Sequence, residues 1–435
     1  MIVKMTTEPT AQALSFSDLG VAPTFLAVLE RKKIASPTPI QHQAIPPALE
    51  GKDIIGIAQT GTGKTWAFGL PMLQKLDEDG GRALILVPTR ELALQVEESL
   101  SLFAPAVGVG IAVFIGGASF ERQREMLRRN PRILIATPGR LNDHLERGTI
   151  TLREVKILVL DEADQMLDMG FKPQIERVIA HVPRERQTML FSATMPHEIV
   201  KLATAHMKIP LRIEVAPAGT AAEKVEQELF IVHKEDKLAL LQTILNSNDG
   251  TVLVFSRTKH GAKKITKIIR DMGHRAAEIH ANRSLSQRRE ALDGFKTGRY
   301  RVLVATDIAA RGIDVTGIAL VINFDLPNDP SDYVHRIGRT ARAGREGKAI
   351  SFASPDQASE IRQIERLIRS TLKRNPLPTL PERSQRPVMP PDDRGPRPPF
   401  RGGSGGGYRG GSRGGSSSGG GRSFGGRSSG GYRGR

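Results

Sequence analysis

Two short stretches of this 435-residue chain carry the residue types that nucleotide chemistry needs. Ala58-Gln59-Thr60-Gly61-Thr62-Gly63-Lys64-Thr65 follows the apolar run Ile54-Ile55-Gly56-Ile57. Asp161-Glu162-Ala163-Asp164 follows Ile157-Leu158-Val159-Leu160. Gly61 and Gly63 let the backbone turn so that several N–H groups face phosphates, and the helix that follows adds its positive end. Lys64 would supply a point charge to the β- and γ-phosphates, and Thr65 a hydroxyl for magnesium. Ala58 takes the first glycine position of the common phosphate-loop pattern, a departure of one residue. Asp161 can hold the magnesium shell, while Glu162 positions and deprotonates an attacking water. Taken alone, two adjacent acids at a strand end could equally be a solvated turn or a helix start. Together with the upstream loop they imply hydrolysis of a nucleoside triphosphate.

Positioning such groups requires buried parallel strands, because open α/β sheets bind ligands at the carboxyl ends of their strands. Strand-like runs recur at Asp53–Ile57, Ala83–Val87, Ile133–Ala136, Ile157–Leu160 and Met189–Phe191. They recur again at Thr251–Phe255, Val302–Ala305, Leu320–Phe324 and Ala349–Phe352. Helical stretches such as Arg90–Phe103 and Pro173–His181 separate them, so the chain reads as two similar α/β halves of βαβ units. Val215 to Ala222 contains Pro and Gly without periodicity and reads as the linker. Beyond Leu377 the composition turns Pro-rich, and from Arg401 it is almost entirely Gly, Ser and Arg with spaced aromatics. Such a tail cannot bury enough apolar surface to fold. Its guanidinium and ring faces suit stacking on RNA bases.

The net charge is +17, which points to a polyanionic partner. From Glu382 onward eleven arginines face three acidic residues, a balance of +8, which leaves +9 for the rest of the chain. The absence of cysteine excludes disulfides and thiol-ligated metals and is compatible with the cytosol. No apolar run approaches the roughly 18 to 20 residues that span a bilayer.

Asp161–Asp164, Ser192-Ala193-Thr194 and Tyr333-Val334-His335-Arg336-Ile337-Gly338-Arg339-Thr340-Ala341-Arg342 resemble motifs of the DEAD-box RNA helicase family, from about Phe16 to Leu372. The resemblance implies two tandem RecA-like domains at residues 16–213 and 225–376. An amino-terminal extension (1–15), a linker (214–224) and a disordered tail (377–435) would complete the chain. It further implies ATP as substrate, with Phe16 stacking on adenine and Gln41 of Pro37-Thr38-Pro39-Ile40-Gln41 reading its edge. Asp314 would touch the ribose. Arg339 and Arg342, three apart on one side of a helix, would reach the γ-phosphate from the second domain. His335 and Arg336 would couple that helix to the Asp161–Asp164 strand. Pro88, Thr89, Arg90, Gly116, Gly117, Thr137, Pro138, Gly139 and Arg140 resemble RNA contacts of the first domain. Arg257, Thr306 and the 280–288 region resemble those of the second. Two departures stand out: Ala341 replaces a common Gly, and Gln287 lies two residues beyond the usual place of a Gln. The short extension and Gly-rich tail look most like the bacterial RhlE-like group. Expected partners are single-stranded and short duplex RNA, ribosomal or RNA-decay proteins and no membrane, in the cytoplasm. An ATP-timed RNA clamp or annealing factor is the alternative to a helicase.

Overall fold

The computed structural model describes residues 3–4, 15–59, 61–215, 225–310, 315, 317–340 and 347–381. Among them two parallel sheets form. The first contains β1 (Val3–Lys4), β2 (Ile54–Ile57), β3 (Arg82–Leu86), β4 (Ile111–Phe114), β5 (Ile133–Ala136), β6 (Val155–Leu160), β7 (Gln187–Ser192) and β8 (Leu211–Glu214), in the order β1-β8-β2-β7-β6-β3-β5-β4. The second contains β9 (Val225–Ile231), β10 (Val252–Phe255), β11 (Ala276–Ile279), β12 (Val302–Ala305), β13 (Leu320–Asn323), β14 (Gly347–Ala353) and β15 (Lys373–Asn375), in the order β11-β12-β10-β13-β14-β9-β15. Every strand pair is parallel.

The apolar runs are continuous because helices cover both faces of each sheet. In β6, Ile157 and Val159 join one core cluster and Leu158 and Leu160 the other. In β10, Leu253 and Phe255 face one side and Val252 and Val254 the opposite one. Parallel strands all end at the same edge, so loops 58–63, 88–90, 115–118, 137–140, 161–162 and 193–194 gather on one rim of the first sheet.

Nine expected strand runs form within a residue or two of their expected ends, and six further strands add to them. The added strands are short or mixed in polarity. In β9, Glu226, Gln227 and Glu228 interrupt the apolar pattern, and β15 (Lys-Arg-Asn) has no apolar residue at all. The helix expected over Arg90–Phe103 stops at Leu100, and a 3₁₀ turn containing Pro105 follows at Ala104–Val107. Residues 216–224 of the expected linker, and the tail from Glu382, lie outside the described residues. Leu380 still packs against the second sheet's core, so the second lobe's contacts extend past the expected boundary at residue 376.

Candidate nucleotide and nucleic-acid site

β2 hands the chain to the phosphate loop through Ala58, whose N–H donates to the Ser192 carbonyl (3.0 Å). Gly61 and Gly63 have φ of 84° and 92°, left-handed values that favour glycine. At Gly63 a second constraint applies, since a Cβ would fall 2.5 Å from Gln41 Nε2 and 2.9 Å from Thr38 Oγ1. The helix Lys64–Asp79 starts directly after it, so the helix's positive end faces the loop. Lys64 is 6% exposed and its ammonium donates to the Ala58 carbonyl (3.0 Å). The Thr62 hydroxyl donates to the Gln59 carbonyl (2.7 Å), which closes the loop on itself.

Gln41 is built into this loop. Its Oε1 accepts from the Thr38 N–H (2.9 Å) in a capping box at the start of the helix Pro39–Leu49. Its Nε2 donates to the Gly63 carbonyl (3.0 Å). Both ends of the amide expected to read adenine are thus engaged within the protein. Phe16 is 3% exposed and belongs to the first lobe's core, so base stacking requires its ring face to be uncovered. Thr60 lies outside the described residues.

At the end of β6, Asp161 is 2% exposed. Burial pushes its carboxyl up to about 6; Lys64 opposes that rise, and Glu162 adds to it. Glu162 has φ of 50°, a left-handed value for a residue with a side chain, and it opens the short helix Ala163–Asp168. Strain of this kind costs roughly 1–3 kcal/mol and clusters at functional sites. Asp164 behaves in the opposite way to Asp161. Burial disfavours its charge, but His335, Lys64 and the Thr194 hydrogen bonds outweigh burial and hold its carboxyl below the usual range. Its Oδ2 accepts from Ala193 N (3.1 Å), Thr194 N (2.8 Å) and Thr194 Oγ1 (2.8 Å), while its N–H donates to Ser192 Oγ (3.3 Å). The fourth residue of the acidic run therefore ties the end of β6 to the end of β7, a role that spacing alone does not reveal.

In the second lobe, the expected coupling of His335 and Arg336 to the acidic strand divides between them. His335 is among the groups that hold the Asp164 carboxyl below its usual range. Arg336 is instead bound inside its own lobe. Its Nε and Nη2 donate to the two carboxylate oxygens of Asp307 (2.5 and 2.7 Å). Its Nη1 reaches Asn323 Oδ1 (3.2 Å) and the Asp325 carbonyl (2.6 Å), and its guanidinium lies 5.0 Å over the Phe255 ring. Arg339 is buried and its Nε donates to the His335 carbonyl (3.2 Å). Asp314, Ala341 and Arg342 lie outside the described residues.

The expected RNA loops of the first lobe brace one another. Thr89 caps the helix Arg90–Leu100 by accepting from the Leu92 N–H (3.2 Å). The Arg90 guanidinium lies against Gly116 and Gly117, and a Cβ at Gly117 (φ 76°) would overlap it. Arg140 Nη1 donates to the Ala118 carbonyl (3.0 Å). The Thr137 N–H donates to the Phe114 carbonyl (3.0 Å), and Pro138 occupies the first turn of the helix Pro138–Glu146. A Cβ at Gly139 would meet nothing within 4 Å, so that backbone is open to close approach. In the second lobe, Arg257 donates from its backbone N to Asp325 Oδ2 (3.0 Å) and from Nη2 to the Leu326 carbonyl (3.2 Å). Thr306, half-buried, donates its N–H to the Ile279 carbonyl (3.3 Å).

Arg288, expected among RNA contacts, pairs across the lobes with Glu91 (3.0 Å). Leu285, from the same segment, packs against the first lobe's core. The displaced Gln287 has a local explanation: with Ser284 it forms the capping box of the helix Leu285–Lys296.

Residues 38–202 match the DEAD/DEAH box helicase family, and residues 236–344 match the helicase conserved C-terminal domain. The DEAD-box ATP-dependent RNA helicase CshA of Geobacillus kaustophilus is 42% identical over 371 residues, covering 85% of this chain and 79% of that protein. The ATP-dependent RNA helicase DbpA of Bacillus subtilis is 43% identical over 356 residues, covering 81% and 74%. The structure of S. cerevisiae Dbp5 bound to RNA and ADP BeF3 is similar at a TM-score of 0.76 and 32% identity, covering 83% of this chain and 96% of that one. The likeness to the RhlE-like group rests on the short extension and the Gly-rich tail alone, whereas the two parallel sheets are the tandem RecA-like domains expected. By sequence and by fold, the chain belongs to the DEAD-box ATP-dependent RNA helicases.

Proposed function

We propose that the chain opens short RNA duplexes, or remodels RNA–protein complexes, by hydrolysing ATP in a pocket completed by both lobes. The observation that carries this reading is Asp164. Its carboxylate is fixed by hydrogen bonds to the Ser192–Thr194 loop, and His335 of the second lobe is among the groups that hold it below the usual range, which links the end of the acidic strand electrostatically to the second lobe. Lys64 exchanges its Ala58 carbonyl for a phosphate oxygen, and the Gly61–Gly63 amides bind the remaining phosphate charge. Glu162 orients the attacking water and takes its proton. Arg339 and Arg342 offset the charge that builds on the γ-phosphate.

Magnesium, when bound with the nucleotide, would neutralise the β- and γ-phosphate oxygens. Thr65 and Asp161 would hold it. Both offer hard oxygen donors, and a partner cation at Asp161 would favour its ionised form. Among the described residues no set of three or more His, Cys, Asp or Glu is gathered for a metal, which suits an ion ligated mainly by nucleotide and water.

Residues 16–213 and 225–376, the latter with Leu380 packed against its core, act as the two domains, joined by residues 214–224. The RNA backbone runs over Pro88–Arg90, Gly117 and Thr137–Arg140, then over Arg257 and Thr306. Contacts of this type position a strand without reading its bases, and the 2′-hydroxyl selects RNA. We place this work in the cytoplasm, in keeping with a chain that lacks cysteine. Strand displacement from a short RNA duplex, compared with the matching DNA duplex and with ATP withheld, tests the proposal. ATP-dependent opening of the RNA duplex is expected. ATP-dependent retention of RNA without displacement would replace the proposal with the clamp, and preference for DNA would overturn it.

A further inference from the structure

The helix Phe120–Arg128 leaves the Gly116–Gly117 loop and is pinned by its one buried residue, Gln123. Gln123 Nε2 donates to the Ile115 carbonyl (3.0 Å), so its oxygen is left to accept from His144 Nε2 (3.3 Å). The imidazole stacks on Phe120 with centroids 4.1 Å apart and planes at 10°. The Arg147 guanidinium lies 4.4 Å from the same ring, and that of Arg140 lies 6.0 Å away. Arg140 and Arg147 are two helical turns apart and share a face. On the neighbouring helix, Arg124 and Arg128 follow Phe120 at steps of four along one stripe. Arg124, Arg128 and Arg147 are all exposed. Their one acidic neighbour within ion-pair distance among the described residues is Glu121, 3.6 Å from Arg124.

We propose that Arg124, Arg128 and Arg147, with Arg147 oriented by Phe120, form a second grip on RNA phosphates that lengthens the footprint beyond the Gly117–Arg140 loops. This rests on the RNA path proposed above. A guanidinium held against an aromatic face keeps its orientation and turns its N–H edges outward, a geometry that suits phosphate. The grip is continuous with the loop contacts, because Arg140 both bonds to the Ala118 carbonyl and lies near the Phe120 ring. Arg128 and Arg147 have no acidic partner within ion-pair distance among the described residues, and Arg124 has only the exposed Glu121. Such a surface favours a polyanion, and the strand proposed for the adjacent loops supplies one.

The test uses the full chain and its Arg124→Ala/Arg128→Ala/Arg147→Ala variant. Binding is measured by fluorescence anisotropy with a nonhydrolysable ATP analogue, on RNA strands of about six and about twenty nucleotides. Across a salt series, the variant is expected to lose about tenfold in affinity for the long strand. Its salt slope should shrink by about two, at about 0.7 for each lost phosphate contact. Affinity for the short strand should stay within twofold. Arg147→Lys, which keeps the charge, should restore most of the slope that Arg147→Ala loses. An unchanged slope on the long strand overturns this extension alone, as does equal loss on both strands. Failure of the unmodified chain to hold the short strand overturns the RNA path itself, and the extension with it.

Discussion

Asp161 and Asp164 stand three positions apart, yet their surroundings push their carboxyls in opposite directions. Asp161 is a buried acid whose carboxyl burial pushes up, whereas Asp164 is tied to the Ser192–Thr194 loop by hydrogen bonds. Lys64→Ala is expected to abolish ATP turnover, because it removes the buried ammonium at the loop that would meet the β- and γ-phosphates. Arg339→Ala should slow hydrolysis tenfold or more, with ATP affinity largely kept, given what arginine fingers supply. Steady-state turnover near the wild-type rate in either variant would refute the placement of the site. A second residue-scale prediction concerns His144. Burial, with help from Arg140 and Arg147, depresses its pKa to about 4 from 6.5. A depressed value means that the unfolded state takes up the proton first. His144 therefore contributes stability that is complete above about pH 6.5 and is lost as pH falls toward 4, up to about 2–3 kcal/mol. The stability gap between wild type and His144→Gln should narrow over that range. Trp66, the one tryptophan, packs edge-on against Phe103 in the first lobe, so its fluorescence in urea titrations reads that lobe. A gap that does not change with pH would contradict the assignment.

At the scale of elements, the phosphate loop is held from outside as well as by its own glycines. Gly63 supplies a left-handed residue and also the space that the Gln41 amide occupies. Gly63→Ala should therefore cost about 1–3 kcal/mol through backbone strain and displace Gln41 as well. Isothermal titration with an ATP analogue should show affinity reduced tenfold or more. Wild-type affinity would mean that the loop tolerates the crowding. The same logic of cross-bracing applies to the loops proposed to meet RNA, where Arg90 lies on Gly116–Gly117 and Arg140 bonds to the Ala118 carbonyl. These arginines shape the loops in the chain alone, which would limit the ordering that RNA binding there must supply.

For the whole molecule, the Glu91–Arg288 pair joins the helices Arg90–Leu100 and Leu285–Lys296 of the two lobes, with Leu285 packed beside it. Both partners are nearly buried, and burial lowers the Arg288 pKa. Breaking one side of a buried pair strands the other charge, at a cost of a few kcal/mol. Here the lobes can relieve that cost by separating. Arg288→Met and Glu91→Gln should therefore each widen the inter-lobe distance distribution. A chain without cysteine accepts a dye pair at two introduced cysteines, so energy transfer can measure this directly. An unaltered distribution would show that the pair does not hold the lobes. Deleting residues 382–435 removes a balance of +8 and should weaken RNA binding and reduce its salt slope, while basal ATP turnover persists. An unchanged slope would remove the tail from the RNA-binding surface.

The sequence alone determined the features that depend on neighbours along the chain. A continuous apolar run ending in Gly-Lys-Thr or Asp-Glu specifies a doubly covered strand and the chemistry at its tip. The nine recognised strands lie where those runs are, while mixed-polarity strands such as β9 and β15 form only because a partner strand supplies their hydrogen bonds. Tertiary structure decided the rest, because the deciding partner was distant in sequence. Arg336 closes on Asp307 and Asn323 instead of crossing to the other lobe, and Arg288 crosses where RNA contact was expected. Gln41 spends its amide on Gly63, and Asp164 finds Thr194 thirty residues away. A side chain's type fixes what it can bond, but only the packing of distant elements fixes which of several eligible partners it meets in a buried place where water cannot substitute.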